Sequence, residues 1–231
     1  MALITEGNLI AKTYEAASPT RARVRSMIGA VQRVNWRSAM IARGFGWNVT
    51  VGSLSTGIVG GGDGDVPDQD QPEFGISIPA GVTCVPFDFL INVCIGIVAA
   101  DSEATEAFIS VDRIAAWDGT GTFTIETPRN LRTNGTAGCP CRCFSAATAN
   151  ITNPTLSFDL ARKEALADVQ DAATPATVNV TQFDLHYKPI NPLFIVGPAC
   201  IYGYWGGTVA CTGYATLNFI TFPSALITHL A

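Results

Sequence analysis

Apolar and polar residues alternate along most of the chain after residue 74. In the segment VPFDFLINVCIGIV every second residue is apolar, so one face of an extended strand would be wholly apolar. The members of this face are Val85, Phe87, Phe89, Ile91, Val93, Ile95 and Ile97. Because the segment is longer than a usual strand, we expect it to bend near Asn92. The pattern therefore predicts one long strand with a single buried face.

Similar runs recur at short intervals and are separated by turn-forming residues. They are rich in β-branched and aromatic residues, and the breaks between them contain Asp-Gly, Asn-Gly, Gly-Gly or Pro. The runs cover 47–54, 74–79, 107–117, 121–127, 155–161, 177–187, 193–204 and 208–222. Only 162–171, RKEALADVQD, has helical composition, so a short helix or an ordered loop is expected there. About nine strands at this density predict an all-β fold, a single jelly roll or β-sandwich.

Shifts in composition set the predicted domain boundaries. Residues 1–59 form a basic N-terminal arm, residues 60–73 an acidic joint rich in Gly and Asp, and residues 74–231 the sandwich domain. Within the arm, RARVR alternates as an extended strand would, whereas SMIGAVQRVNWRSAMIARG suits an amphipathic helix that ends at Gly44. We favour extended pieces, and the prediction is an extended arm on a sandwich.

The joint, GGGDGDVPDQDQPE, does not match the templates for ligand-binding loops. Counted from Asp63, a twelve-residue calcium loop needs oxygen ligands at its fifth and twelfth positions, where Pro67 and Phe74 stand. A phosphate loop needs a Gly-Lys-Ser/Thr ending, and this segment ends with acidic residues. We therefore predict a mobile, solvated joint. An adventitious cation site is the open alternative, formed by Asp63, Asp65, Asp68 and Asp70.

The composition favours an assembly over a solitary monomer. Charged residues make up 14% of the chain, against about a quarter in typical soluble domains. So few charges leave apolar surface to be covered by a partner, although a very compact all-β monomer is the alternative. The amino terminus lacks the features of a secretory signal, and no apolar run reaches the roughly 20 residues of a membrane helix. We therefore expect no membrane partner and synthesis in a cytoplasm.

Charge is divided unevenly between the two ends of the chain. The first 43 residues carry a net charge of +5 and the rest carry −10, which together give the net charge of −5. The acidic body argues against a nucleic-acid partner, whereas the basic arm could contact a polyanion or an acidic neighbour.

No catalytic signature emerges from the sequence. His186 and His229 are its only imidazoles, and no Gly-x-Ser-x-Gly motif is present. Cys139, Cys141 and Cys143 would share one face of a strand, where simple burial, a metal site or a local disulfide are all open. We predict no enzymatic activity, no catalytic residue, no metal and no cofactor.

These features together resemble virion structural proteins of bacteriophages. The segments SPTRARVRS, NWRSAMIARGFGWNVTVGS and DQPEFGISIPAGV look like parts of small capsid proteins or capsid-decoration (cement) proteins. The resemblance is one of general character over the whole chain and rests on no diagnostic motif. It implies a jelly-roll subunit of the virion capsid, assembled in the host cytoplasm. Such a subunit would form a symmetric oligomer, commonly a trimer, and bind the major capsid protein.

On this interpretation, arginines of the arm pair with carboxylates of the shell or of adjacent copies, because the guanidinium fork can bind a carboxylate through two hydrogen bonds. A solvated basic face is the alternative. The predicted partner-binding residues are Arg21, Arg23, Arg25, Arg33, Arg37 and Arg43.

A second functional class is a carbohydrate-binding or host-recognition module of a virion fibre or spike. β-Sandwiches can present loops to glycans, and tryptophan rings can stack on sugars. The candidates for this stacking are Trp36, Trp47, Trp117 and Trp205.

Overall fold

β-Strands account for most of the described chain, as the alternating pattern predicts. The computed structural model describes residues 36–61, 67–95, 103–114, 117, 122–135, 138–147, 155–167, 182–207 and 211–228. The strands are β1 (Gly46–Val51), β2 (Ile58–Val59), β3 (Phe74–Ile78), β4 (Val82–Ile95), β5 (Glu103–Asp112), β6 (Thr124–Glu126), β7 (Arg129–Asn130), β8 (Arg142–Ser145), β9 (Leu156–Ala167), β10 (Gln182–Tyr187), β11 (Ile195–Val196), β12 (Ala199–Gly207) and β13 (Cys211–Pro223). The helices are α1 (Trp36–Ala42) and α2 (Ala225–Thr228).

The strands form two antiparallel sheets. The first sheet has the order β10-β4-β13-β1-β7, with β11 added beside β4 and β2 beside β13. The second has the order β6-β8-β3-β12-β5-β9. Their facing sides share one hydrophobic core, so the predicted all-β sandwich is confirmed. The jelly-roll connection pattern stays a prediction.

Strand β12 is buried on both of its faces. Ile201 and Trp205 lie in the core between the sheets, while Tyr202 and Tyr204 point to the opposite side. There they pack in a second aromatic cluster, whose other large members are Phe108, Trp117 and Phe144. Each large side chain buried in this way stabilises the fold by about 1.5–3 kcal/mol. The double burial fits the position of β12 in the interior of its sheet, between β3 and β5.

Strand β4 is long, as predicted, but it does not keep one buried face. Its register against β13 shifts between Asn218 and Phe219, which leaves Phe87 as an extra residue without a partner. An extra residue reverses the side on which the following residues lie. Val85 and Phe87 therefore face away from the core between the sheets, and the irregularity in pairing lies at Phe87, whereas pairing is regular at Asn92. The described residues that face that core beyond the bulge are Phe89, Ile91 and Val93.

Helix α1 covers the apolar surface that the bulge turns outward. Met40 and Ile41 of the helix pack on the cluster of Val85, Phe87, Ile220 and Phe222, together with Phe45 and Leu131. The chain leaves the helix through Gly44, which has a positive φ of 86°, and the Gly44 N–H donates to the Ile41 carbonyl at 2.8 Å. Burial of this helical face explains why extended pieces are the wrong prediction for residues 36–42.

The predicted arm boundary is also wrong. Strand β1 pairs with β13 over six residues and with β7 on its other side, and β2 adds to β13. Residues 46–51 and 58–59 are thus part of the first sheet, and the buried side chains of Trp47, Val49 and Val51 in β1 join its core face. The predicted extended arm over residues 1–35 lies outside the described residues.

The segment 162–171 is not a helix over its described part. Residues 162–167 belong to β9, which pairs with β5 and has Arg162 opposite Phe108. Long-range pairing overrides the helical propensity of RKEALA, because propensities differ by only a few tenths of a kcal/mol per residue. Residues 168–171 lie outside the described residues.

The joint is more buried than its composition predicts. Pro67, Pro72 and Glu73 are buried, and the Asp70 N–H donates to Asp68 Oδ1 at 2.9 Å within a turn. Glu73 anchors this segment against β12, so a solvated joint is wrong for the described residues 67–73. Residues 62–66 lie outside the described part of the chain.

Candidate functional site

The two described arginines of the predicted partner-binding set have different surroundings. Arg37 in α1 donates from Nη2 to the carbonyls of Pro189 and Ile190 and sits 5.7 Å from the centre of the Phe87 ring. It therefore ties α1 to the sandwich. Arg43, just after α1, is exposed and lines a surface pocket. The other four, Arg21, Arg23, Arg25 and Arg33, lie outside the described residues.

The pocket beside Arg43, here called the basic pocket, has a volume of about 520 Å³. Arg132 lines it from a different part of the chain, and none of the described residues that line it is an acid. Its apolar wall includes Phe45, Trp47 and Phe222. Arg132 could not be identified from the sequence, because no local pattern links residue 132 to residue 43.

Hydrogen bonds hold the walls of the basic pocket together. Asn130 Nδ2 donates to the Gly44 carbonyl at 2.8 Å, and the Leu131 N–H donates to the Gly46 carbonyl at 2.9 Å. Trp47 Nε1 donates to Thr221 Oγ1 at 2.7 Å. The three segments around residues 43–47, 130–135 and 221–223 are thereby fixed to one another, so the pocket is preformed.

A second surface feature is an apolar patch centred on Phe194. Phe194 stacks on Trp36 with ring centres 6.1 Å apart, and a groove of about 590 Å³ runs beside it. We define the Phe194 patch by its large exposed side chains, which are Trp36 (38% exposed), Ile114 (67%), Leu193 (45%), Phe194 (53%) and Val196 (52%). Exposed apolar surface of this kind marks interaction sites in soluble proteins.

Three of the four tryptophans considered for sugar stacking are inaccessible. Trp47, Trp117 and Trp205 are buried, and Trp205 Nε1 donates to the Ile58 carbonyl at 3.1 Å. Only Trp36 offers an exposed ring, and its neighbour Phe194 already stacks on it. The described tryptophans therefore serve packing rather than an open row of stacking platforms.

The described cysteines are all free and mostly buried. Burial raises the pKa of Cys200 and of Cys211 to about 12. A hydrogen bond with Cys141, together with burial, raises the pKa of Cys139 well above its usual range. These thiols stay protonated near neutral pH and are poor nucleophiles. No group of three or more potential metal ligands occurs among the residues that the structure describes.

His186 is the one candidate imidazole that the structure describes. It lies exposed on β10, with Nε2 2.7 Å from Asp88 Oδ1, while Lys188 Nζ is 3.5 Å from Asp88 Oδ2. The result is a small network of polar contacts at the edge of the first sheet. His229 lies outside the described residues.

Glu73 is a buried carboxylate that the sequence analysis did not single out. Its Oε1 accepts from the Gly61 N–H at 2.5 Å, and its Oε2 accepts from the Trp205 N–H at 2.9 Å. Burial raises the pKa of Glu73 from 4.5 to about 8. Both oxygens thus fix the backbone of neighbouring segments, which is a structural use of the group.

Comparison with known proteins assigns no family. The chain matches no protein-family model and no curated protein. Across the described residues, no helix has the length and apolar character needed to cross a membrane.

Proposed function

We propose that this protein is a non-enzymatic structural subunit of a virus particle, which associates with copies of itself and with the major capsid protein. The viral setting rests on the resemblance of its sequence to virion structural proteins. The Phe194 patch is the observation that supports self-association. A homotrimer that decorates or builds the capsid, in the virion, is the form we favour.

The patch is suited to a protein neighbour because exposed apolar side chains from separate elements lie together on one surface. Trp36 begins α1, Ile114 follows β5, and Phe194 precedes β11. The Phe194 ring also packs against the buried Phe222 ring, with ring centres 6.1 Å apart, so buried side chains support the patch from below. A rigid support of this kind lowers the entropic cost of binding. Covering such side chains with a second copy is favourable by about 25 cal/mol per Å² of apolar surface.

The position of α1 links the patch to the predicted arm. Trp36 stacks on Phe194, and residue 36 directly follows the predicted arm in the sequence. Arms that order on a neighbour spread contact over a wide surface. The pairing of Arg21, Arg23, Arg25 and Arg33 with carboxylates stays a prediction within this proposal.

Replacing Phe194 with Asp is expected to dissociate the assembly. The change puts a charge at the centre of the apolar patch, where it would have to be desolvated on association. We expect sedimentation velocity to show at least a tenfold weaker association, equivalent to about 1.4 kcal/mol. Leu54→Asp supplies the control, because Leu54 is 74% exposed and lies outside the patch.

The control should sediment like the native protein. Equal association of the native protein and the Phe194→Asp variant would contradict a role for the patch. Thermal unfolding of both variants checks that each one folds, since both positions are exposed in the structure.

A further inference from the structure

We propose that the basic pocket binds a carboxylate carried on an apolar or ring-shaped body. The inference goes beyond the proposed assembly role, because the pocket is lined by none of the exposed side chains that define the Phe194 patch. Two guanidinium groups, an aromatic wall and a preformed cavity are the observations that carry it.

The charge of the pocket sets the sign of its ligand. Arg43 and Arg132 both line it, and neither forms an ion pair with a carboxylate in the part of the chain that the structure describes. The whole chain carries a net charge of −5, so this pocket is a local basic site on an acidic protein. An anion would be drawn to it more strongly than to the surrounding surface.

The placement of Arg132 favours a planar anion. Arg132 Nε donates to Asn134 Oδ1 at 2.8 Å, and the Arg132 N–H donates to Asn130 Oδ1 at 2.8 Å. The first bond restricts the side chain and the second fixes the backbone at residue 132, so the terminal nitrogens of Arg132 remain for a ligand. Guanidinium groups bind carboxylates through paired hydrogen bonds, which a carboxylate matches by its planar shape.

The remaining walls favour an apolar body behind that anion. Trp47 is almost wholly buried and its Nε1 is already bonded to Thr221, so it presents carbon surface to the cavity. Phe45, Phe222 and Pro223 add further apolar surface. A cavity of about 520 Å³ accommodates a small aromatic or sugar ring together with its carboxylate.

Benzoate is the first probe, and benzamide is its neutral analogue of the same shape. Isothermal titration calorimetry at low ionic strength, where charge attraction is least screened, should show saturable binding of benzoate in the millimolar range or tighter. Benzamide should bind at least about tenfold more weakly, since it lacks the charge. Equal affinities for the two probes, or no saturation by about 20 mM benzoate, would overturn the proposal.

Arginine variants test the location of the site. Arg43→Gln and Arg132→Gln should each weaken benzoate binding about tenfold, because each removes a charged hydrogen-bond donor. Arg129→Gln makes the same charge change on β7, outside the pocket lining, and should leave the affinity within about twofold. Unchanged affinity in both pocket variants would overturn the assignment.

The same carboxylate chemistry could come from a free small acid or from an acidic side chain of a neighbouring protein. The second probe is the dipeptide Phe-Asp with an acetylated amino terminus and an amidated carboxyl terminus, so that the Asp side chain is its single carboxylate. Tighter binding of the peptide than of benzoate identifies the source as a protein neighbour, and the reverse order identifies a free acid.

Discussion

Replacing Glu73 with Gln is expected to abolish a pH dependence of stability. In the native protein, the free energy of unfolding should fall by about 5 kcal/mol between about pH 4.5 and 8, and the variant should not show this fall. Burial raises the pKa of this carboxyl from 4.5 to about 8, although the hydrogen bonds that it accepts from two backbone N–H groups act to lower the pKa. The folded protein therefore keeps this proton in a pH range where the unfolded chain has lost it.

The sign of the effect follows from this difference. Stability from Glu73 is fully present below about pH 4.5, declines as the pH rises toward about 8, and is level above it. The magnitude is of the order of 1.4 kcal/mol for each pH unit between the two pKa values. Gln carries no titrating group, so the variant should lack this decline.

Urea unfolding of the native protein and the variant at pH 5, 6, 7, 8 and 9 measures the effect. The difference between the two stabilities isolates Glu73 from the other carboxylates. Glu164→Gln is the control, because Glu164 is exposed on β9, and it should leave the native profile in place. Parallel profiles for the native protein and Glu73→Gln would contradict the burial of the Glu73 carboxyl group.

Gly203→Ala is expected to destabilise the protein by about 3 kcal/mol or more. Gly203 in β12 lies opposite Phe74 in β3, and a Cβ atom at residue 203 would overlap the Phe74 ring. The Phe74 ring is fully buried, and its centre lies 6.4 Å from the ring centres of both Phe89 and Trp205. Because protein cores are closely packed, the strand or the surrounding core must shift to admit the new Cβ atom.

Gly138→Ala is the matched control for this substitution. Its Cβ would meet open space, so the change in the free energy of unfolding should stay within about 0.5 kcal/mol. Urea denaturation of both variants gives the comparison. A Gly203→Ala variant as stable as the control would contradict the described contact between β12 and β3.

The sequence was sufficient to predict the class of fold because the alternation is strong where one face of a strand is buried. In β10, the buried residues Phe183, Leu185 and Tyr187 alternate with exposed ones. The bulge at Phe87 could not be predicted in this way, because it depends on the pairing of β4 with β13. The same holds for α1, whose stability comes from the apolar cluster that the bulge turns outward.

The surface sites were harder to predict than the fold. Arg43 was among the predicted binding residues, whereas Arg132 was not. The hydrogen bond from Asn130 to the Gly44 carbonyl holds the two segments together, so that both arginines line the same pocket. Phe194 and Ile114 belong to segments that look like ordinary strand ends in sequence. Their exposure depends on how the two sheets and α1 meet, which local patterns do not specify.

The central claim, association of the protein with copies of itself, is tested most directly by its absolute mass in solution. Light scattering on the purified 231-residue protein should give a whole-number multiple of the chain mass of 24.4 kDa, and three times that mass for the trimer that we favour. A mass of 24.4 kDa at every protein concentration would contradict the account, because the Phe194 patch would then stay uncovered.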